Sequence, residues 1–430
     1  MVKVEVISKE RIKPSSPTPL HLRSFNLSLL DQLAPRFYIP LLLFYTAKDS
    51  NHLLQTNQVA QKLRTSLSKT LAIFYPLAGR LKDDDTIDCN DQGVEVFHAR
   101  VDEHLSEFLK KPHMEVLDQL VPGESFCTRS GADVPLAIQV NSFECGGVAI
   151  GVRLSHKIAD GTAMAEFISK WAATARATNE AMDTTLVSAS IFQPRSSVSS
   201  YLYPTSETIV TRRLVLDASA IAALRAKAAG HPTLESPPTR VVAVSALIWR
   251  CFMKAKRDKG PTTVSVSTHA VNVRGRMRPL VPESYFGNLW VATITEGVMI
   301  SECNGDMQGV LEKQLGNAIK AVDSDFIEEL KGPDGSIKAH EGMKKVAENY
   351  WDSDVHLCHF SSWCRFPFYE VDFGWGKPIW VSICTIPIKT SAVFIGRRWD
   401  DGMEVWVNME ADEMAKFEQD QELLSFVRIP

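Results

Sequence analysis

Ser155-His156-Lys-Ile-Ala-Asp160-Gly161 places an imidazole and a carboxylate four residues apart, at a point where the side-chain periodicity changes. An imidazole with the ordinary pKa near ~6.5 can take a proton from a hydroxyl at neutral pH. Far downstream, Asp372-Phe-Gly374-Trp375-Gly376-Lys-Pro378 crowds two glycines into a turn that calls for positive φ or close backbone approach, and Pro378 restricts its exit. Taken singly, each segment also has a plain reading, as a hydrogen-bonded structural histidine or a glycine turn joining two strands.

The elements around these residues follow from the same pattern. Val148, Ile150, Val152 and Leu154 share one face of an extended run, which predicts a strand. From Thr162 the period becomes helical: Met164, Phe167, Ile168, Trp171 and Ala175 form one stripe, with Asp160 or Thr162 able to cap its start. His156 thus falls in a strand-to-helix turn, where a rigid scaffold can present a side chain to substrate. Val59, Leu63, Leu67 and Leu71 predict an amphipathic helix over 57–74, ended by Pro76. Ala218–Ala229, capped by Asp217 and closed by Gly230, and Val242–Lys256 predict two more. Strands are expected at Leu136–Ser142, Val148–Leu154, Val210–Leu216, Thr263–Val273 and Pro378–Thr385. Gln193 to Ser206 is rich in Ser and Pro, without either period. The expectation is an α/β (α+β) protein of two similar-sized domains, 1–192 and 207–430, each a mixed sheet with flanking helices, joined by a 193–206 crossover.

Ser-His-x-x-x-Asp-Gly at a strand end, followed by Asp-Phe-Gly-Trp-Gly, resembles the plant BAHD acyltransferases, which move acyl groups from coenzyme A thioesters to alcohols or amines. The likeness extends through Pro17 to Pro19, Leu30-Asp31-Gln32, Phe74-Tyr-Pro-Leu-Ala-Gly-Arg80, Asp88-Cys-Asn90, Phe143-Glu-Cys-Gly-Gly147, Tyr285-Phe-Gly-Asn288 and Ser362-Trp-Cys-Arg365. It is strongest toward the vinorine synthase-like branch of alkaloid and alcohol O-acetyltransferases. The resemblance implies a chloramphenicol acetyltransferase-like fold with a central solvent channel, and a monomer. It implies His156 as general base, Asp160 as a structural residue paired with Arg274, and Asp372, Gly374, Trp375 and Gly376 as structural support. It further implies an acyl-CoA co-substrate, acetyl-CoA for preference, a small-molecule alcohol as acceptor, no bound cofactor and no covalent acyl-enzyme. Trp375 could alternatively offer its indole N–H to a developing oxyanion.

Composition narrows the field. A length of 430 residues with 45% hydrophobic content can build two large cores. A net charge of −4, without a long basic run, argues against nucleic acid. The longest apolar stretch, Phe37 to Ala47, is too short to span a bilayer and is interrupted by Pro40, and the first ten residues lack a signal-peptide core, so a cytoplasmic protein is expected. Eight cysteines without a Cys-x-x-Cys pair read as reduced thiols. His356, Cys358, His359 and Cys364 are soft-metal ligand types, but in a strand His359 points away from His356 and Cys358, so no metal is expected. No phosphate-loop or Gly-x-Ser-x-Gly pattern occurs. Cys145 reads as a buried thiol rather than a nucleophile. Lys256 and Arg257 are candidates for CoA phosphates, and Phe37, Trp290 and Trp380 read as core aromatics. Two other classes stay open. One is a carrier-protein-dependent condensation-type enzyme, which usually has a second histidine where Ser155 stands; the other is a non-catalytic metabolite-binding member.

Overall fold

The computed structural model describes residues 2–46, 56–82, 85–123, 134–177, 190–196, 208–256, 263–282, 284–302, 307–349 and 354–430, together with 186, 198, 200, 201 and 203. The chain divides into two compact units. The first comprises Met1–Ser200, Val281–Leu289 and Phe366–Ile386, the second Tyr201–Leu280, Trp290–Arg365 and Pro387–Pro430.

In the first unit, a six-stranded sheet runs in the order Val4–Ile12, Val94–Val101, Leu136–Phe143, Val148–Ser155, Tyr38–Tyr45, Trp380–Ser382. Only Val94–Val101 and Leu136–Phe143 run parallel; the other neighbours are antiparallel. Every residue of Val148–Ser155 is buried, rather than one face alone. Its small residues explain why. A Cβ on Gly151 would lie 2.1 Å from the Leu120 carbonyl oxygen, so the segment after the helix Met114–Gln119 packs directly on the face that Gly151 leaves open. Arg153 follows the same side and donates to the Gly123 carbonyl at 2.6 Å.

Two long helices of this unit lie against each other. Trp171, on the helix Gly161–Arg176, donates its indole N–H to Ser66 Oγ at 3.0 Å on the helix Thr56–Ile73, and Phe167 meets Phe74 edge-on with ring centres 5.4 Å apart. A small sheet of Ser24–Asn26, Thr86–Asp88 and Arg80–Leu81 completes the unit's strands among the described residues.

The second unit holds a seven-stranded mixed sheet, ordered Trp290–Ala292, Val264–Asn272, Val355–Ser362, Ser391–Gly396, Met403–Glu410, Ile209–Leu216, with Val298–Met299 beside Val264–Asn272. The helix Arg240–Lys256 fills the core on one face, where Trp249 and Phe252 pack with Phe360, Phe394 and Val405. The Trp249 indole N–H donates to Ser265 Oγ at 2.8 Å, which settles its polar atom inside that core.

The mixed-sheet α/β architecture agrees with the reading of the sequence, and the change of unit after Ser200 falls inside 193–206. The units differ from the expected limits in two segments. Residues 281–289 belong to the first unit. Residues 366–386, carrying Asp372–Gly376, also belong to the first unit and not to a 207–430 domain. For the latter segment the physical cause is strand pairing: Trp380, Val381 and Ser382 pair with Phe44, Leu43 and Leu42 along the sheet edge. Only these three residues of the expected Pro378–Thr385 strand are extended in the ladder. No helix of the described residues is long and apolar enough to cross a membrane.

Candidate active site

His156 follows the last residue of Val148–Ser155, where Ser155 still pairs with Tyr38. The His156 backbone N–H donates to the Phe37 carbonyl at 2.9 Å, so the turn begins hydrogen-bonded to the neighbouring strand's entry. Asp160 ends the turn as N-cap of the helix Gly161–Arg176, accepting from the Ala163 N–H at 2.8 Å through Oδ1. Its Oδ2 accepts from the Leu289 N–H at 2.9 Å. Both carboxylate oxygens therefore serve backbone donors, which fits an architectural role rather than one orienting the imidazole. Gly161 is required here because a Cβ would lie 2.4 Å from the Phe366 ring.

The imidazole is oriented instead by Asn288. This side chain is fully buried, and its Nδ2 donates to Asp31 Oδ1 at 2.9 Å and to the His156 carbonyl at 2.7 Å. With both amide hydrogens placed, Asn288 Oδ1 faces His156 Nδ1 at 3.1 Å and must accept. Nδ1 then carries the proton, and Nε2 keeps the lone pair that a general base needs. Asp31 is in turn anchored at the start of the helix Leu29–Leu33, where Ser28 N–H and Oγ both donate to Oδ2, at 2.9 and 2.7 Å. Burial pushes the Asp31 carboxyl above its ordinary pKa, against the opposing pull of these hydrogen bonds.

Phe37 meets the imidazole edge-on, with ring centres 5.2 Å apart. Burial likewise holds the His156 pKa below the ordinary 6.5, outweighing the opposite pull of its backbone hydrogen bond, of Asp160 and of Asn288. The residue as a whole nevertheless stays partly exposed. A neutral imidazole with its basic nitrogen set by a fixed amide can accept a proton from a nucleophile.

The Asp372 segment is built for packing. Asp372 Oδ1 accepts from the Gly374 and Gly376 N–H groups at 2.7 and 2.8 Å, and both glycines have positive φ, +101° and +111°. Trp375 stacks on Phe373 with centres 5.5 Å apart, Phe373 meets Trp171 at 4.9 Å, and Arg176 donates to the Asp372 carbonyl. These contacts lie at the C-terminal end of the helix that Asp160 caps, about 24 Å along its axis for 16 residues. The Trp375 indole N–H is buried and has no hydrogen-bond partner.

Arg274 belongs to the second unit, where it is fully buried and its Nη1 donates to Asn272 Oδ1 at 3.4 Å. Other candidates are redirected. Lys256 is buried against Glu413 at 3.0 Å instead of facing a phosphate, and Arg257 lies outside the described residues. Cys145 is partly exposed rather than buried, its Sγ accepting from the Leu105 N–H. His359 bonds Thr268 Oγ1 through Nδ1 at 2.9 Å, while Cys358 sits in the opposite core.

Sequence reasoning missed Asn288 and Asp31 as partners of the base, and took Phe37 for core alone. Ser28-Leu-Leu-Asp31 is a capping-box spacing that could have flagged Asp31 as a placed carboxylate. Asn288 stood in the Tyr285-Phe-Gly-Asn288 segment without a role, because its partners are more than a hundred residues away.

The model of the Transferase family matches residues 2–424. Vinorine synthase of Rauvolfia serpentina is 38% identical over 431 residues, covering 99% of this chain and 98% of its own. Stemmadenine O-acetyltransferase of Catharanthus roseus is 37% identical over 425 residues, covering 97% and 96%. The crystal structure of vinorine synthase superposes with a TM-score of 0.83 at 37% identity and 99% coverage of both chains. That of F. sporotrichioides TRI101 complexed with coenzyme A and T-2 shares the fold, with a TM-score of 0.75 at 17% identity and coverage of 94% and 99%.

Proposed function

Since this chain belongs to the Transferase family, the BAHD acyltransferases, we propose that it transfers an acetyl group from acetyl-CoA to a hydroxyl of an alkaloid or another plant specialised metabolite. The observation that carries this reading is the Asn288 amide, which spends its N–H groups on Asp31 and the His156 carbonyl and turns Oδ1 to His156 Nδ1; this assigns the proton to Nδ1 and the role of base to Nε2.

Nε2 removes the hydroxyl proton as the alcohol oxygen attacks the thioester carbonyl. The tetrahedral intermediate then collapses with cleavage of the carbon–sulfur bond, and the imidazolium returns the proton to the departing thiolate. The products are the ester and coenzyme A, with no acyl-enzyme between them. General-base catalysis supplies ~10²–10⁴-fold, and alignment of the two substrates the rest. Asp160 shapes the turn through the Ala163 and Leu289 N–H groups. A monomeric state and a cytosolic location belong to the same proposal. The identity with an O-acetyltransferase over nearly the full length favours a CoA thioester over a carrier-protein donor.

The test combines purified protein, acetyl-CoA and a panel of alkaloid and other plant alcohols, read as coenzyme A thiol release and acetyl ester by mass spectrometry. The wild type forms ester with at least one alcohol. His156→Ala loses ~10²–10⁴-fold of that rate while acetyl-CoA still raises its melting temperature. Thioester turnover only with an acylated carrier protein would replace this reading.

A further inference from the structure

Lys157, directly after the proposed base, is buried at 2% exposure. An ammonium at that depth requires polar partners to offset its lost hydration. Its Nζ donates to the Gln32 carbonyl at 2.9 Å and reaches the Ala34 carbonyl at 3.4 Å. These oxygens are at the C-terminal end of the helix Leu29–Leu33, where carbonyls carry partial negative charge and a cation is the favoured neighbour. The same short helix presents Asp31 to Asn288, which holds the ring. One helix therefore grips the turn twice, through its side chain at the imidazole and through its terminal carbonyls at Lys157.

We infer that Lys157 is a positioning residue that ties the base-bearing turn to the Leu29–Leu33 helix and, as a buried cation fixed on the residue next to His156, keeps His156 in its neutral, proton-accepting form. This rests on His156 acting as the general base. The charged groups around the ring are Asp160 on the same turn, Asp31 from the helix by way of Asn288, and Lys157. A carboxylate such as Asp160 favours the imidazolium, and Lys157 opposes it, acting in the same direction as burial. Removal of the cation should raise the His156 pKa, so the ring is protonated, and inactive as a base, at a higher pH than in the wild type.

The experiment reads that titration without turnover. Diethyl pyrocarbonate reacts with neutral imidazole, and peptide mass spectrometry follows carbethoxylation of His156 across acid and neutral pH. The wild-type midpoint is expected below 6.5. Lys157→Gln keeps a hydrogen-bond donor without the charge, and Lys157→Met keeps neither. Both are expected to raise the midpoint by about half a unit or more, the scale of one nearby charge at partly buried depth. An unchanged midpoint in a folded Gln variant overturns the inference. Failure of both variants to fold overturns it too, because the side chain is then a structural staple. A shifted midpoint together with normal turnover by His156→Ala would leave the tuning standing and remove the general-base reading instead.

Discussion

Histidines in the two units are treated in opposite ways. In the first unit, His156 has Nδ1 bonded to Asn288 and is a partly exposed residue. In the second, His269 and His359 sit in neighbouring strands, His269 stacked on Phe360 at 5.1 Å and His359 beside Tyr203 at 4.7 Å, each with a buried Nε2 that has no partner. Burial lowers the pKa at all three, to about 3 at His269 and His359. A neutral imidazole is thus common to both regions and does not by itself mark a base. The distinguishing feature is an amide side chain, Asn288, that gives its N–H groups to Asp31 and the His156 carbonyl and turns its oxygen to the ring nitrogen Nδ1.

The largest break of this contrast is His156→Ala, already expected to cost ~10²–10⁴-fold in turnover. His269→Phe, by comparison, should leave turnover near wild type, because its nitrogen faces only core. Asp160→Ala is next. It removes a helix N-cap and strands the Leu289 N–H, so a urea or thermal unfolding curve should show a loss of about 2–3 kcal/mol along with reduced activity. Loss of activity with unchanged stability would assign Asp160 to the chemistry instead.

His269 then sharpens the comparison through pH. Unfolded histidine binds a proton near 6.5, whereas native His269 resists until about 3, so the unfolded state holds more protons across that window. Stability therefore falls as pH drops from about 6.5, with a slope of up to ~1.4 kcal/mol per unit from this residue. His269→Phe should flatten the acid side of a urea-midpoint profile; an unaltered profile would mean that the ring is hydrated. Asn288→Ala has the smallest expected effect, a fall in kcat of about tenfold, as Nε2–H and Nδ1–H tautomers come to compete.

Much of this site was legible because its signals are local. The switch from a two-residue to a helical period located His156 in a turn, and an aspartate just before the apolar stripe of Met164, Phe167 and Trp171 announced the N-cap. The helix Ala218–Ala229 was readable for the same reason. The return of residues 281–289 and 366–386 to the first unit was not, because it depends on which strand edge stands open far away in sequence. Asn288 shares that blindness: a single asparagine after Tyr285-Phe-Gly gains meaning only once Asp31 and the His156 carbonyl take both of its hydrogens. Lys157 carries no signal of its own in the sequence, and only its burial and its bond to the Gln32 carbonyl reveal a held charge.

The most direct test of the central claim is the pH dependence of kcat/KM for acetyl-CoA with an accepted alcohol, measured for wild type and His156→Ala. The account predicts an acid limb below 6.5 in the wild type, rates ~10²–10⁴-fold lower in the variant, and loss of that limb with the imidazole. Equal rates, or the same acid limb in both proteins, would contradict it.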